Sequence, residues 1–128
     1  MDYYLNKTTD YQFDEAIDKI TMALKDVGFG ILTEIDMKTT LKNKLDVDRR
    51  PYKILGACNP KFANAALGME DKIGILLPCN VVVMEKEDGK VDVSIMNPTV
   101  AMSMVENPDL EVLSADVTEK LETALDSI

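Results

Sequence analysis

The chain lacks histidine altogether and contains only two cysteines, Cys58 and Cys79. The missing histidine excludes Ser-His-Asp and Cys-His catalysis, because both mechanisms use an imidazole as general base. The two thiols are therefore the only groups able to act as strong nucleophiles or soft metal ligands near neutral pH. Their spacing is not a Cys-x-x-Cys motif. We expect them to be reduced, since a chain of this size builds its own core and cytosolic thiols stay reduced.

Basic residues are scarce. Lysine and arginine total 14 against 23 aspartates and glutamates, which gives a net charge of -9. A chain with this charge repels the phosphate backbone and anionic lipid surfaces. Neither nucleic acid nor a membrane is therefore expected as a partner.

Long apolar runs are also missing. No run approaches the roughly 20 residues that span a bilayer, and the first residues, MDYYLNKTTDYQF, lack the pattern of a secretion signal. These features predict a soluble, cytoplasmic protein. The 128 residues and the 46% hydrophobic composition fit a single domain over residues 1–128.

The periodicity of apolar residues predicts alternating strands and helices. Apolar residues from Phe13 to Val27 recur at spacings of four and three, which predicts a helix that Gly28 ends. Asp36 is the expected N-cap of a second helix. The predicted order is strand, helix, strand, helix, strand, helix, hairpin and then helices. This order predicts an α+β domain of two layers, in which a mixed, mostly antiparallel sheet of about five strands packs against helices.

A β-hairpin is expected in the most apolar part of the chain. Residues Ile73–Met84 are predicted to pair with Lys90–Met96 across a turn that contains Gly89. A three-residue turn pairs Val83 with Val93, and it avoids the opposed like charges that a two-residue turn would create. Period-two alternation then points Cys79 toward the core.

Three Asn-Pro pairs, at residues 59–60, 97–98 and 107–108, predict helix starts. An asparagine side chain accepts a hydrogen bond from a free N–H of the first turn. Proline at the first helical position loses only an N–H that had no partner. Asn59 therefore has a structural explanation that needs no ligand.

Two segments carry a family resemblance. The runs RPYKILGACNP at residues 50–60 and GILLPCNVVV at residues 74–83 strongly resemble domain-of-unknown-function family 302. The resemblance extends to residues 28–30, 34–36, 88–89 and 107–108 and so covers nearly the whole chain. It implies a compact two-layer α/β domain that forms homodimers, and it brings no catalytic residue.

Two positions depart from the family pattern. Gln12 stands where a serine helix cap is expected, which should weaken the start of the first helix by about 1 kcal/mol at most. Asp46 stands where glycine is common, and this departure affects only the shape of a loop. Gly28-Phe29-Gly30 lacks a third glycine and precedes a strand, so no phosphate-binding loop and no cofactor is predicted.

Four residues form the candidate ligand-binding site: Cys58, Asn59, Cys79 and Asn80. Cys58 precedes a helix start, where the helix dipole favours a thiolate, although cysteine also serves as a small buried hydrophobe. Cys79 fits the second role better because valines follow it. Asparagine is depleted in strands, so a structural role does not explain Asn80. Of the two asparagines, Asn80 is therefore the better candidate for a hydrogen bond to a ligand. No catalytic residue and no metal ligand is assigned.

Three functions follow as hypotheses, and whether the protein is an enzyme stays open. The first is a homodimeric domain that binds a small molecule near the four candidate residues. The second is a thiol-based redox or Cu(I)-handling protein, in which sulfur from Met96, Met102 or Met104 joins the cysteines. The third is a non-catalytic interaction domain.

Overall fold

The structure is a computed structural model and describes residues 2–128. Helices separate the first four of the five strands along the chain, and the last two strands form a hairpin. The strands are β1 (Tyr4–Thr9), β2 (Gly30–Asp36), β3 (Tyr52–Cys58), β4 (Cys79–Glu85) and β5 (Val91–Met96). The α-helices are α1 (Phe13–Asp26), α2 (Met37–Leu45), α3 (Pro60–Met69), α4 (Pro98–Ala101) and α5 (Pro108–Asp126), and short 3-10 helices cover Asp71–Leu76 and Met102–Val105.

The strands form one sheet in the order β1-β5-β4-β3-β2, and every neighbouring pair is antiparallel. The sheet and its covering helices confirm the predicted two-layer α+β fold. Because β1 and β2 lie at opposite edges, the connection through α1 carries the chain across the helical face of the sheet. No helix within residues 2–128 is long and apolar enough to cross a lipid bilayer.

The main core lies between the sheet and helices α1 and α5. Leu55 of β3, Val81 of β4 and Val93 of β5 point into it together with Leu24 of α1 and Leu121 of α5. A smaller cluster joins α3, the first 3-10 helix and the C-terminal helices, and its buried members are Ala66, Ile73, Met102 and Leu110. Helices α1 and α5 therefore cover one face of the sheet and leave the other face open, and α2 contributes no residue to either cluster.

The β4–β5 hairpin has the predicted register. Val83 pairs with Val93, and Val81 pairs with Ile95. The turn holds three residues between Lys86 and Lys90, and Gly89 takes the left-handed conformation at φ 85°. That conformation costs glycine little, which is why the sequence can close the hairpin here.

The three Asn-Pro helix starts are confirmed. The side-chain oxygen of Asn59 accepts from the backbone N–H of Lys61 at 3.1 Å, and Asn97 accepts from Thr99 at 3.1 Å. Asn107 accepts from Asp109 at 3.0 Å. Asp36 caps α2 in the same way, through a 3.0 Å bond from Thr39.

Gln12 and Asp46, the two positions expected to depart from the family pattern, both lie at helix ends. Gln12 makes no side-chain hydrogen bond to the first turn of α1. Asp46 ends α2 in the left-handed conformation, at φ 54°. Glycine adopts this conformation most easily, and aspartate is among the few other residues that tolerate it.

The predicted extent of the strand before the hairpin is wrong. Asp71–Leu76 forms a 3-10 helix, and β4 begins only at Cys79. Ile73 is buried in the smaller cluster with Met102, so this apolar stretch packs as a helical turn rather than as a strand. Pro78 precedes the strand, and its missing N–H cannot join a β-ladder.

Candidate functional site

The two cysteines lie at neighbouring strand ends. Cys58 is the last residue of β3, Cys79 is the first residue of β4, and Ala57 is the direct pairing partner of Cys79. Cys58, Asn59 and Cys79 contribute to the wall of one small cavity, together with apolar residues of α3 and α5. We call this space the thiol cavity. The structure therefore brings together three of the four predicted site residues.

The thiol cavity is too small for an organic ligand. Its volume is about 40 Å³, whereas pockets that hold small molecules measure roughly 300–1,000 Å³. A volume of this size admits one or a few water molecules. Its wall includes Met102 and Leu110, which are buried residues of the smaller core cluster, so enlarging the cavity would break core packing.

The chemistry of Cys79 is that of a buried thiol. The side chain is 6% exposed and forms no disulfide. Its pKa is raised from the ordinary 9.0 to about 11, mainly by burial and to a smaller extent by the neighbouring Cys58. Cys79 is therefore a protonated thiol at neutral pH, and a protonated thiol is a poor nucleophile. Cys58 is half-buried and is also unbridged.

The amide of Asn59 is engaged in structure. Its oxygen accepts hydrogen bonds from the first turn of α3, namely from Lys61 at 3.1 Å and from Phe62 at 3.4 Å. Its nitrogen lies close to Gly28, since a Cβ on Gly28 would meet Asn59 Nδ2 at 2.9 Å. Asn59 thus caps α3 and lies next to the turn after α1.

The sulfur ligands of a Cu(I) site are not assembled. Met102 lines the thiol cavity with the cysteines, whereas Met96 and Met104 do not. Met96 packs against the smaller core cluster and also lines the opposite face of the sheet, and Met104 is exposed. Within residues 2–128 there is also no group of three or more His, Cys, Asp or Glu side chains placed to hold a metal ion.

Asn80 belongs to a different site. Successive strand residues point to opposite faces, so Asn80 leaves β4 on the side away from Cys79. It is exposed and lies opposite Gly56. The structure therefore does not bring Asn80 together with Cys58 and Cys79, because the sheet separates them.

Asn80 lines a groove of about 660 Å³ on the face of the sheet that the helices leave open. We call it the open-face groove. Its apolar floor includes Val82, Met84 and Met96, and tyrosines stand near opposite corners, with Tyr4 on β1 and Tyr52 on β3. The complete lining is Tyr3, Tyr4, Asn6, Thr8, Tyr52, Asn80, Val82, Met84, Lys86, Asp92, Ser94, Ile95 and Met96.

A hydrogen-bonded carboxylate lies in the wall of the open-face groove. Asn6 Nδ2 approaches both oxygens of Asp92, at 2.8 Å to Oδ1 and 2.7 Å to Oδ2. The hydroxyl of Thr8 donates to Oδ1 at 3.1 Å, and that of Ser94 donates to Oδ2 at 3.0 Å. Asp92 is only 6% exposed although it lies on the open face. The network offsets the cost of burying the charge.

Sequence reasoning about the two cysteines missed Asp92. The signal was present in β5, where Asp92 and Ser94 alternate with Val91, Val93 and Ile95. Such alternation places the polar pair on the face opposite the valines. The same period in β1 places Asn6 and Thr8 on one face.

The fold and the sequence both match known proteins. Residues 5–128 match the profile of the family described as "Domain of unknown function DUF302". The crystal structure of an uncharacterized conserved protein DUF302 from Bacillus stearothermophilus has a TM-score of 0.92 and 28% sequence identity, with 98% of each chain covered. An uncharacterized protein from Aquifex aeolicus (strain VF5) is 32% identical over 72 residues. The match covers 50% of this chain and 50% of that curated relative.

Proposed function

The chain belongs to the DUF302 family, and we propose that it is a binding domain that holds a small organic ligand in the open-face groove. One observation carries the proposal. A groove of about 660 Å³ combines an apolar floor with a buried, hydrogen-bonded carboxylate at Asp92. Ligand sites typically join an apolar lining to a few convergent polar groups within this range of volumes.

The proposal moves the site from the cysteines to the opposite face of the sheet. Of the four residues predicted from sequence, Asn80 lines the open-face groove, whereas Cys58, Asn59 and Cys79 line the thiol cavity. The groove offers about 660 Å³ against about 40 Å³. The larger volume therefore favours the open-face groove as the ligand-binding site.

An NMR fragment screen tests the proposal. Fragments that bind the groove should shift the backbone amide signals of Asn80, Val82 and Ser94 and leave those of Ala57 and Phe62 in place. Val82→Trp would fill the groove floor and should abolish these shifts. Cys58→Ala is the matched control and should preserve them. Shifts confined to Ala57 and Phe62 would contradict the proposal.

A thiol-based function would depend on Cys58 alone. Cys79 is buried, and its raised pKa keeps it protonated at neutral pH. Two-thiol chemistry needs an attacking thiolate and an accessible partner, and Cys79 supplies neither. We therefore rank this function below ligand binding.

We also propose that the protein acts as a cytoplasmic homodimer. Two unbridged cysteines in a chain with its own core suit a reducing compartment. The dimer follows from the family resemblance, and the outer strand β2 offers a surface for it. Leu32 is 67% exposed there and Ile35 is 46% exposed. The ladder is irregular between Ile31 and Thr33, so a second copy would pack on side chains instead of extending the sheet.

A further inference from the structure

Asp92 is a buried carboxylate without a counter-ion. Four ion pairs occur within residues 2–128, and none of them includes Asp92. Lys86 is the only lysine or arginine in the groove lining, and it does not pair with Asp92. Within the described residues, the hydrogen bonds to the carboxylate come from the neutral side chains of Asn6, Thr8 and Ser94. The charge is thus solvated by the protein but not neutralised.

The hydrogen-bond network can admit one further donor. The amide nitrogen of Asn6 has two hydrogens but three acceptors within reach, namely the two oxygens of Asp92 and Ser94 Oγ at 2.9 Å. When one hydrogen turns to Ser94, an acceptor position on Asp92 becomes free.

An apolar and aromatic row leads away from this charge. Asp92 pairs with Met84 across β5 and β4, and Met84 pairs with Tyr52 across β4 and β3. Tyr52 therefore lies two strand spacings, or about 10 Å, from Asp92. A ligand along this row would meet a carboxylate at one end and an aromatic ring at the other, with a thioether between them.

We infer that the groove takes an organic amine, whose ammonium group binds Asp92 and whose apolar part lies over Met84 toward Tyr52. This inference rests on the proposed function and names its ligand class. An ammonium group supplies both the missing positive charge and a hydrogen-bond donor for the acceptor position that becomes free on Asp92. The net charge of -9 also steers cations toward the protein.

Three probes of equal chain length test the inference on the full chain: n-hexylammonium chloride, n-hexanol and sodium n-hexanoate. Binding is followed by the backbone amide shifts of Asn80, Val82 and Ser94. The ammonium should bind at least about tenfold more tightly than the alcohol, because a charge-assisted hydrogen bond replaces a neutral one. The carboxylate should bind most weakly of the three.

A pair of variants assigns the preference to one residue. Asp92→Asn should remove the advantage of the ammonium over the alcohol. Asp18→Asn removes the same charge from an exposed position on α1, across the sheet from the groove, and should leave the advantage intact. The comparison of the three probes on the native chain tests the inference even if Asp92→Asn does not fold.

The outcomes separate the inference from the function on which it rests. Equal binding of alcohol and ammonium in the groove would overturn the amine and leave the proposed function standing. If hexanoate bound most tightly of the three probes, the amine would also be overturned and the proposed function would stand. A fragment screen that shifts no groove amide would overturn both.

Discussion

Cys79 and Asn80 are consecutive in β4, yet they line different spaces on opposite faces of the sheet. Cys79 belongs to the packed side, where burial suppresses its ionisation. Asn80 belongs to the open side, beside the apolar floor of the groove. One step along the strand thus separates a structural residue from a candidate binding residue.

The first prediction concerns the reactivity of the thiols. In the Cys58→Ala variant only Cys79 remains, and it should not react with Ellman's reagent at pH 8 until denaturant unfolds the chain. The reason is that Cys79 is both buried and protonated. The rate of the reaction is measured from the absorbance of the released thiolate at neutral and mildly basic pH. Rapid labelling of the folded variant would contradict this prediction and would support the thiol-based function.

The same group predicts a loss of stability at high pH. The pKa of Cys79 is raised from 9.0 in the unfolded chain to about 11 in the fold, so the unfolded state ionises first as the pH rises. The stabilisation from the neutral thiol is fully present below pH 9 and is lost between pH 9 and 11.

The loss should amount to about 2 to 3 kcal/mol in the free energy of unfolding. Urea titrations at pH 8 and pH 11 measure it. A Cys79→Ala variant lacks the thiol and should lose less over the same interval, since other groups contribute equally to both proteins. Identical losses in the two proteins would contradict the assignment to Cys79.

Gly56 is the subject of the third prediction, because the side chains of Thr33 and Pro78 lie close to it. A Cβ at this position would overlap Thr33 Oγ1 and would lie 2.8 Å from Pro78 Cγ. Gly56→Ala should therefore lower the free energy of unfolding by about 1–3 kcal/mol, as overpacking does in general. Urea unfolding provides the measurement.

The matched control for this change is Gly74→Ala. No atom lies within 4 Å of a Cβ at Gly74, so that substitution should change stability by less than about 1 kcal/mol. Removing the Thr33 hydroxyl in a Gly56→Ala, Thr33→Ala double variant should recover part of the loss. An unchanged loss in the double variant would exclude Thr33 as the cause.

Local sequence rules predicted much of this fold. The Asn-Pro helix starts follow from capping chemistry, and the hairpin register follows from avoiding the Glu85–Asp92 charge pair. These rules did not predict the 3-10 helix at residues 71–76. A short apolar run fits a strand and a buried helical turn equally well. Here the run forms a helical turn, which buries Ile73 against the C-terminal helices.

The candidate site was less predictable for a topological reason. Period-two alternation could have separated Cys79 from Asn80 in advance. The contact between Asn6 and Asp92 could not have been found in this way, since 86 residues separate them. It depends on β1 pairing with β5 at the edge of the sheet, and local pattern alone did not predict that order.

The fourth prediction adds the helix cap that α1 lacks. Gln12 has the extended backbone of an N-cap, at φ -65° and ψ 157°, but no side-chain bond to the first turn. Gln12→Ser should raise the free energy of unfolding by about 0.5–1 kcal/mol, because a serine hydroxyl can accept one of the free N–H groups. Gln12→Ala is the control and should bring no gain. Equal melting temperatures for the serine and alanine variants would contradict the prediction.

The last prediction concerns the homodimer. Light scattering should give twice the chain mass of 14.2 kDa, since the family resemblance implies a dimer. Leu32→Lys should shift the mass toward the monomer, because it places a charge where we propose that a second copy covers an apolar side chain. Met104→Lys is the matched control, since Met104 is 69% exposed against 67% for Leu32 but lies outside β2. A monomeric native chain at tens of micromolar would overturn the dimer, whereas equal dissociation of both variants would overturn only the assignment to β2.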